Sequence, residues 1–575
     1  MSVLPSTSAW NAYRRADGPM PTVGLAWNLY GTGIEAMGRD GKPELVEVGR
    51  PRRDQLLIRV DAVGLCFSDV KLLRLGGDHP KLYGRDLKEA PTRLGHETSV
   101  TVLAVGDDLV DRFRPGQRLA IQPDIYVDGR STAYGYTIPG GLIEAHLIGP
   151  EVLAADDGAY VSEVDPSLGY AETALTEPWA CVEASYTQRR RLEPLVGGRM
   201  LVLAGRESRR AYTFGRALTD AGTLTVVGAS APLREAILAL ADPARTTFAD
   251  SLSEPNAAGP FDDIILLDPR HAADVSAAAD RLAFRGVLNI VSDEPLDGDV
   301  EIDIGRIHYH YTAYVGTRGA DVTAAYGEAR NRAELRPGGV AVVVGAGGPM
   351  GQMHVERALT LANGPRLVLA VDLDEDRLGA AAAKLQPIAD RTGRPLVVET
   401  LGPEPDALAA AVGRVTGGRG ADDVIVTAPS AAAVVAASTA MATDGMLVLF
   451  AGVPVGTRAA LDLSPVFLDG AQLTGTSGSR IADQATVISK ALALVLEPRR
   501  ALAAIGGLGA APEALQALID GRFPGKIVIF PALHDLPLTA LADLATTEPD
   551  VAAALAADGT WTTAAEARLF ERHLG

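Results

Sequence analysis

Val340-Ala-Val-Val-Val-Gly-Ala-Gly-Gly-Pro-Met-Gly351 runs into the helical spacing of residues 352–361 and then into Leu367-Val-Leu-Ala-Val-Asp372. A short run of valines, a glycine corner and a stretch of helical periodicity predict strand, tight turn and helix; the next apolar run predicts a second, parallel strand. Glycines at that corner (Gly345, Gly347, Gly348 and Gly351, with Pro349 and Met350 among them) let the backbone approach a pyrophosphate, which the amides and the positive end of the helix then hold. Counted from Gly345, the loop is one residue longer than the simple G-x-G-x-x-G spacing. Asp372, at the end of the following strand, is placed to accept the adenosine ribose hydroxyls and to repel a 2′-phosphate. The expected cofactor is NAD.

Working outward, the same rhythm occurs twice. Met200–Ala204, Leu224–Val227, Asp262–Leu267 and Val287–Val291 precede Val340–Val344, Leu367–Val371, Asp422–Val426 and Met446–Phe450 in the same order. Local wording repeats as well: Asp262-Asp263-Ile with Asp422-Asp423-Val, and Gly316-Thr-Arg-Gly319 with Gly475-Thr-Ser-Gly478. Two tandem Rossmann-like units follow. The first has Ala204-Gly-Arg-Glu-Ser-Arg-Arg210 at its corner and Gly228 where the acid should stand, so it is not expected to bind NAD in the usual way. Its arginines Arg206, Arg209 and Arg210 offer an anion site at a helix start, and a packing or oligomerisation role is the stronger reading.

Upstream, Gly64-Leu-Cys-Phe-Ser-Asp-Val-Lys71 and Leu94-Gly-His-Glu97 place a thiolate (Cys66), an imidazole (His96) and a carboxylate (Glu97) in one short segment. Those are the three side-chain types that bind zinc, and the mixture suits a catalytic ion with an open position. A closed structural zinc would need several cysteines, and the chain has 2, Cys66 and Cys181.

These residues resemble the zinc members of the medium-chain dehydrogenase/reductase superfamily, with their Gly-x-Cys-x-(Ser/Thr)-Asp turn followed by Gly-His-Glu. The Glu-Pro pair Glu177-Pro178 resembles the extra carboxylate of the zinc polyol and sugar-phosphate dehydrogenases, and the longer wording is closest to an L-sorbose-1-phosphate reductase-like branch. The resemblance implies a GroES-like, mostly β catalytic domain, a zinc held by Cys66, His96, Glu97 and Glu177, directly or through water, and Ser68 as proton relay, with Asp69 bracing the ligand loop. It implies hydride exchange between NAD and a secondary alcohol or ketone of a polyol, sugar or sugar phosphate. Two rivals share the fold: a redox-neutral NAD-dependent epimerase of a sugar or cyclitol, and a non-catalytic ligand-binding or regulatory protein.

The fold expected is α/β: a catalytic domain of residues 1–196 and 522–575, a degenerate Rossmann-like domain of 197–330 and an NAD-binding one of 331–521. Short alternating stretches such as Glu44–Val48, Gln55–Val60, Thr98–Val105 and Arg118–Ile121 supply the strands of the first. Residues 1–20 read as an extended arm. The loop from Asp78 to Lys88 carries His79, Lys81, Arg85 and Lys88, either a grip for a substrate phosphate or a solvated surface, and Tyr136 is a candidate for substrate contact.

With 53 Lys+Arg against 72 Asp+Glu, a net charge of −19 and no basic run, a nucleic-acid partner is not expected. No apolar run reaches a membrane span. Cytoplasmic location and a homo-oligomer, dimer or tetramer, are expected.

Overall fold

The computed structural model describes residues 8–574 apart from Asp17, Arg189, Arg206, Glu207 and Arg209, so two of the three arginines considered for an anion lie outside the described residues. The chain forms two compact units, residues 1–184 with 478–575, and residues 185–477. Residues 478–521, grouped by sequence with the dinucleotide-binding repeat, thus belong to the first unit.

The first unit is built on an eight-stranded, largely antiparallel sheet whose central strands are Arg118–Ile121, Glu97–Val105, Leu56–Gly64, Lys526–Phe530 and Leu502–Gly507 in that order. Leu56–Gly64 is buried along nearly its whole length, and its two charged residues, Arg59 and Asp61, pair with each other at 2.7 Å. Its register decides the site. Gly64 pairs with Glu97 on one side and with Val528 on the other. Cys66 just beyond one strand, His96 and Glu97 at the start of the next, and Lys526 at the start of a third are therefore gathered at one end of the sheet.

The N-terminal arm is not extended throughout: Ala9–Arg15 is helical. The Ser8 hydroxyl accepts from the Asn11 amide at 3.3 Å, and Trp10 packs on Tyr170 and Phe570. Sequence spacing misses such a helix because one buried aromatic, not an amphipathic stripe, anchors it. The C-terminal helix Thr563–Leu574 joins the same core, and its buried Glu566 accepts from the Tyr170 and Ala171 amides at 2.6 and 2.9 Å. That carboxylate caps the helix Tyr170–Ala174, which precedes the helix Thr176–Ala184 bearing Glu177.

The second unit holds two six-stranded parallel sheets of the same order, third-second-first-fourth-fifth-sixth strand. One runs from the edge Thr246–Ala249 through Arg199–Ala204 to the edge Ala313–Thr317, the other from Leu396–Thr400 through Val340–Val344 to Gln472–Gly475. The repeated Asp-Asp words have a common task. Arg191 pairs with Asp263 at 2.9 Å while the Asp262 carboxylate accepts the Arg199 amide; Arg332 pairs with Asp423 while Asp422 accepts the Val340 amide. Each clamp ties the chain entering a sheet to its fourth strand. Among the described residues, no helix is long and apolar enough to cross a membrane.

Candidate active site

Cys66 ends an extended segment and caps the helix Phe67–Leu75. Asp69, in the first turn, accepts the Cys66 amide through Oδ2 at 2.9 Å and the Gly95 amide through Oδ1 at 3.1 Å, tying the two motif loops together. Its Oδ1 also lies 3.4 Å from His96 Nδ1. That contact leaves Nε2 as the nitrogen available to an ion, the usual way a carboxylate orients a histidine ligand. Both groups are buried, which opposes charge on each. Their mutual attraction wins: Asp69 is held below the usual carboxylate range and His96 above the usual imidazole range.

The donor atoms of Cys66, His96 and Glu97 lie within 4.8 Å of one another, and among the described residues this is the group of three metal-binding side chains that converges in this way. Sulfur, nitrogen and oxygen donors at that spacing fit zinc. Gly64 makes room for them: a Cβ there would stand 2.1 Å from Glu97 Oε2, itself buried without a hydrogen-bond partner. The other Glu97 oxygen accepts from Lys526, whose ammonium also donates to the Leu65 carbonyl at 2.7 Å. Sequence reasoning passed over Lys526, although a lysine opening the apolar strand Lys526–Phe530 is a signal that a buried acid awaits it.

Glu177 stands outside that group of three. Burial pushes its carboxyl up to about 7, with the charges of Glu97 and Asp124 adding to the shift against His96. It accepts from the Cys181 thiol at 3.6 Å, one helical turn on, and a neighbouring acid also keeps that thiol protonated beyond what burial does. Ser68 Oγ lies 3.6 Å from Cys66 Sγ, half-buried.

The basic loop is not an open grip. Lys81 pairs with Asp124 at 2.9 Å and Arg85 donates to the Thr137 carbonyl at 3.0 Å. Tyr136 lies between this loop and the metal donors, its ring 5.0 Å from that of His79 and 6.0 Å from that of His96. Burial raises its phenol to about 12. His79 accepts the Lys81 amide through Nδ1, which puts any ring proton of the neutral form on Nε2; burial and the charges of Lys81 and Lys71 keep it neutral, down to about 4.

In the second unit, Val340–Val344 passes through the glycine corner into the helix Pro349–Thr360, capped by Gly348. Gly345 has φ +87°, and a Cβ on Gly351 would stand 2.3 Å from the Gly345 carbonyl oxygen, so neither position admits a side chain without movement. Asp372 ends its strand as read from sequence. Its Oδ2 already accepts the Gly347 amide at 2.8 Å, and Oδ1 the Leu373 and Asp374 amides at 2.8 and 3.2 Å. Arg377, not singled out from sequence, brings Nη2 to 3.3 Å from the Cβ position of Gly348.

The first repeat differs at the same corner. Arg210 is engaged by Asp268, Nε to Oδ2 at 3.1 Å, and by Asp293, and the Tyr212 hydroxyl donates to Asp268. The first repeat thus has an acid just past its fourth strand, Asp268, that ties down the arginine offered for an anion.

A GroES-like β domain and parallel sheets of Rossmann type define an alcohol-dehydrogenase fold. Residues 52–162 match the family model of the alcohol dehydrogenase GroES-like domain. The chain is 28% identical over 323 residues to L-sorbose 1-phosphate reductase of Klebsiella pneumoniae, covering 52% of this chain and 75% of the relative. It is 25% identical over 516 residues to the uncharacterized protein YggP of Escherichia coli K12, covering 88% and 87%. Its fold is shared with an alcohol dehydrogenase of Thermotoga maritima, at a TM-score of 0.52 and 13% identity over 89% of this chain and all of that one (100%). These matches support a likeness to the alcohol and polyol dehydrogenases of the medium-chain dehydrogenase/reductase superfamily.

Proposed function

We propose that the chain is a zinc-dependent oxidoreductase that moves a hydride between NAD and a secondary alcohol or ketone carbon of a polyol, sugar or sugar phosphate, in the cytoplasm. The observation that carries this reading is the convergence of Cys66, His96 and Glu97 within 4.8 Å. Cys66 and His96, with Glu97 or Glu177, would hold the metal. When bound, zinc supplies Lewis acidity towards the substrate oxygen and NAD supplies the hydride acceptor.

The chain's own residues do the rest. Asp69 fixes the His96 ring and ties Cys66 to the Gly95 loop. Ser68, beside Cys66, accepts the hydroxyl proton of the alcohol and passes it outward. Lys526 balances the Glu97 charge in a site that is otherwise acidic. Tyr136, kept protonated by burial, offers a hydroxyl donor to a polyol.

In the second unit the glycine corner and the positive end of the helix Pro349–Thr360 favour a pyrophosphate, while the Gly347 and Gly348 amides brace the corner by donating to Asp372 and to the Gly345 carbonyl. Asp372 at the strand end supports the reading of NAD, whereas Arg377 close to Gly348 would suit a 2′-phosphate.

A screen of polyols, ketoses and their phosphates with NAD and NADP, followed by absorbance of the reduced cofactor, tests the reading. Turnover with NAD on a member of that set is expected. Failure of the whole set with both cofactors, in zinc-loaded protein, would reject it.

A further inference from the structure

The two sheets of the second unit meet reciprocally. Val300–Asp303 of the first repeat pairs antiparallel with Arg458–Leu461 of the second: Val300 with Leu461, Glu301 with Ala460, Ile302 with Ala459. The short helix Ser464–Leu468 packs on the edge strand Ala313–Thr317, and the short helix Ile304–Tyr309 packs on the edge strand Gln472–Gly475.

Glycines mark the closest approach. A Cβ on Gly316 would meet Phe467 Cβ at 2.4 Å, and one on Gly475 would meet the Ile307 side chain at 3.2 Å and His308 Cα at 3.3 Å. Gly316 and Gly475 are 159 positions apart, as are His308 and Phe467. The contact of Gly316 with Phe467 is therefore returned by Gly475 with His308. The same displacement carries the pair Ile302–Ala459 onto Val300–Leu461 and leaves Glu301–Ala460 on the axis.

Each patch meeting the equivalent patch is the signature of a two-fold dimer interface, here inside one chain. Its centre is apolar and continuous, with Ile302, Ile307, Tyr314, Leu461, Val466 and Phe467 in one buried cluster. The two edge strands do not join in a ladder; a cleft lined by Arg190, Tyr311, Asn331 and Gln472 separates them. The first repeat keeps this face while its own nucleotide corner is closed by Arg210 on Asp268 and Asp293.

We propose that the first repeat is a built-in partner: the in-chain half of a two-fold pair that covers the edge strand and apolar helix of the dinucleotide-binding repeat, so that no second copy of the chain docks there. Without it, that strand and helix would be an exposed association surface. The proposal rests on the second repeat being the one that carries the cofactor.

The test uses the full chain with Glu301→Cys and Ala460→Cys, two exposed positions directly opposite in the ladder and so within disulfide reach. After mild oxidation, non-reducing electrophoresis and peptide mapping identify the bond, with each single variant as control. The bond is expected within one chain, with the single variants unlinked. Covalent dimers through 301–460, or through 301–301 in the single variant, would overturn the proposal.

Gly316→Val forms a second arm, read by sedimentation velocity and NAD titration. It is expected to raise the NAD dissociation constant several-fold and to produce self-association; no change in either would overturn the partner role. A wild-type chain that binds no NAD would instead refute the cofactor reading, while the cross-link result would still decide the in-chain pairing.

Discussion

Asp372→Ala is the change that separates the two repeats most sharply. The carboxylate accepts three amides, from Gly347, Leu373 and Asp374, and on the proposed reading it also accepts the ribose hydroxyls. Losing a hydrogen bond to a charged acceptor costs about 1.5–3 kcal/mol, or roughly ten- to a hundredfold in the dissociation constant. Affinity for NADP should move the other way, because the negative charge is gone while Arg377 remains beside Gly348. Asp372→Asn divides the effect, since its amide oxygen still accepts from Gly347 but carries no charge. Titration of the full chain with NADH and NADPH by fluorescence reads both constants. The expected order for NADH is wild type, Asn, Ala, with NADPH improved in both variants. An unchanged NADH constant in Asp372→Ala, or equal weakening of both cofactors with full rescue by Asn, would refute the reasoning.

Other outcomes follow from the same contacts. Arg210→Ala, in the first repeat, should leave the NADH constant unchanged in that titration. Lys526→Met strands the buried Glu97 carboxylate, and breaking one side of a buried pair costs about 3–5 kcal/mol; the urea midpoint of metal-stripped protein should fall accordingly, and an unchanged midpoint would show the pair to be dispensable. Glu177→Gln should retain much of the metal but lose rate, whereas full rate would remove Glu177 from the chemistry. Burial raises Glu172 from 4.5 to about 7 despite Arg499. An acid that binds its proton more tightly in the folded state gives stability that is lost as pH rises from 4.5 through 7. Urea midpoints of wild type should therefore fall over that window relative to those of Glu172→Gln, and parallel profiles would contradict the shift.

How much was legible depended on how local each feature is. The glycine corner, Asp372 and the Cys66 to Glu97 segment are short-range patterns, and each was assembled by one turn or one pair of adjacent strands. The duplication was legible because Asp262-Asp263 and Asp422-Asp423 perform the same clamp. Lys526 reaches Glu97 only through the register of three strands, Gly64 with Glu97 and Val528, and no spacing along the chain encodes that. Arg210 offered a charge at a helix start, but its engagement by Asp268, far along the chain, decides what the charge does. The helix Ala9–Arg15 depends on a tryptophan finding Tyr170 and Phe570, a contact invisible to periodicity.

On the proposed function, Cys66 and His96 hold a catalytic zinc. Metal analysis of the purified full chain, beside Cys66→Ala and His96→Ala and paired with NAD-linked oxidation of a polyol, tests it most directly. Zinc bound in proportion to protein is expected in the wild type, with loss of both metal and activity in each variant, since the only other cysteine, Cys181, stands beside Glu177. Full activity in metal-free wild type, or undiminished zinc in both variants, would contradict it.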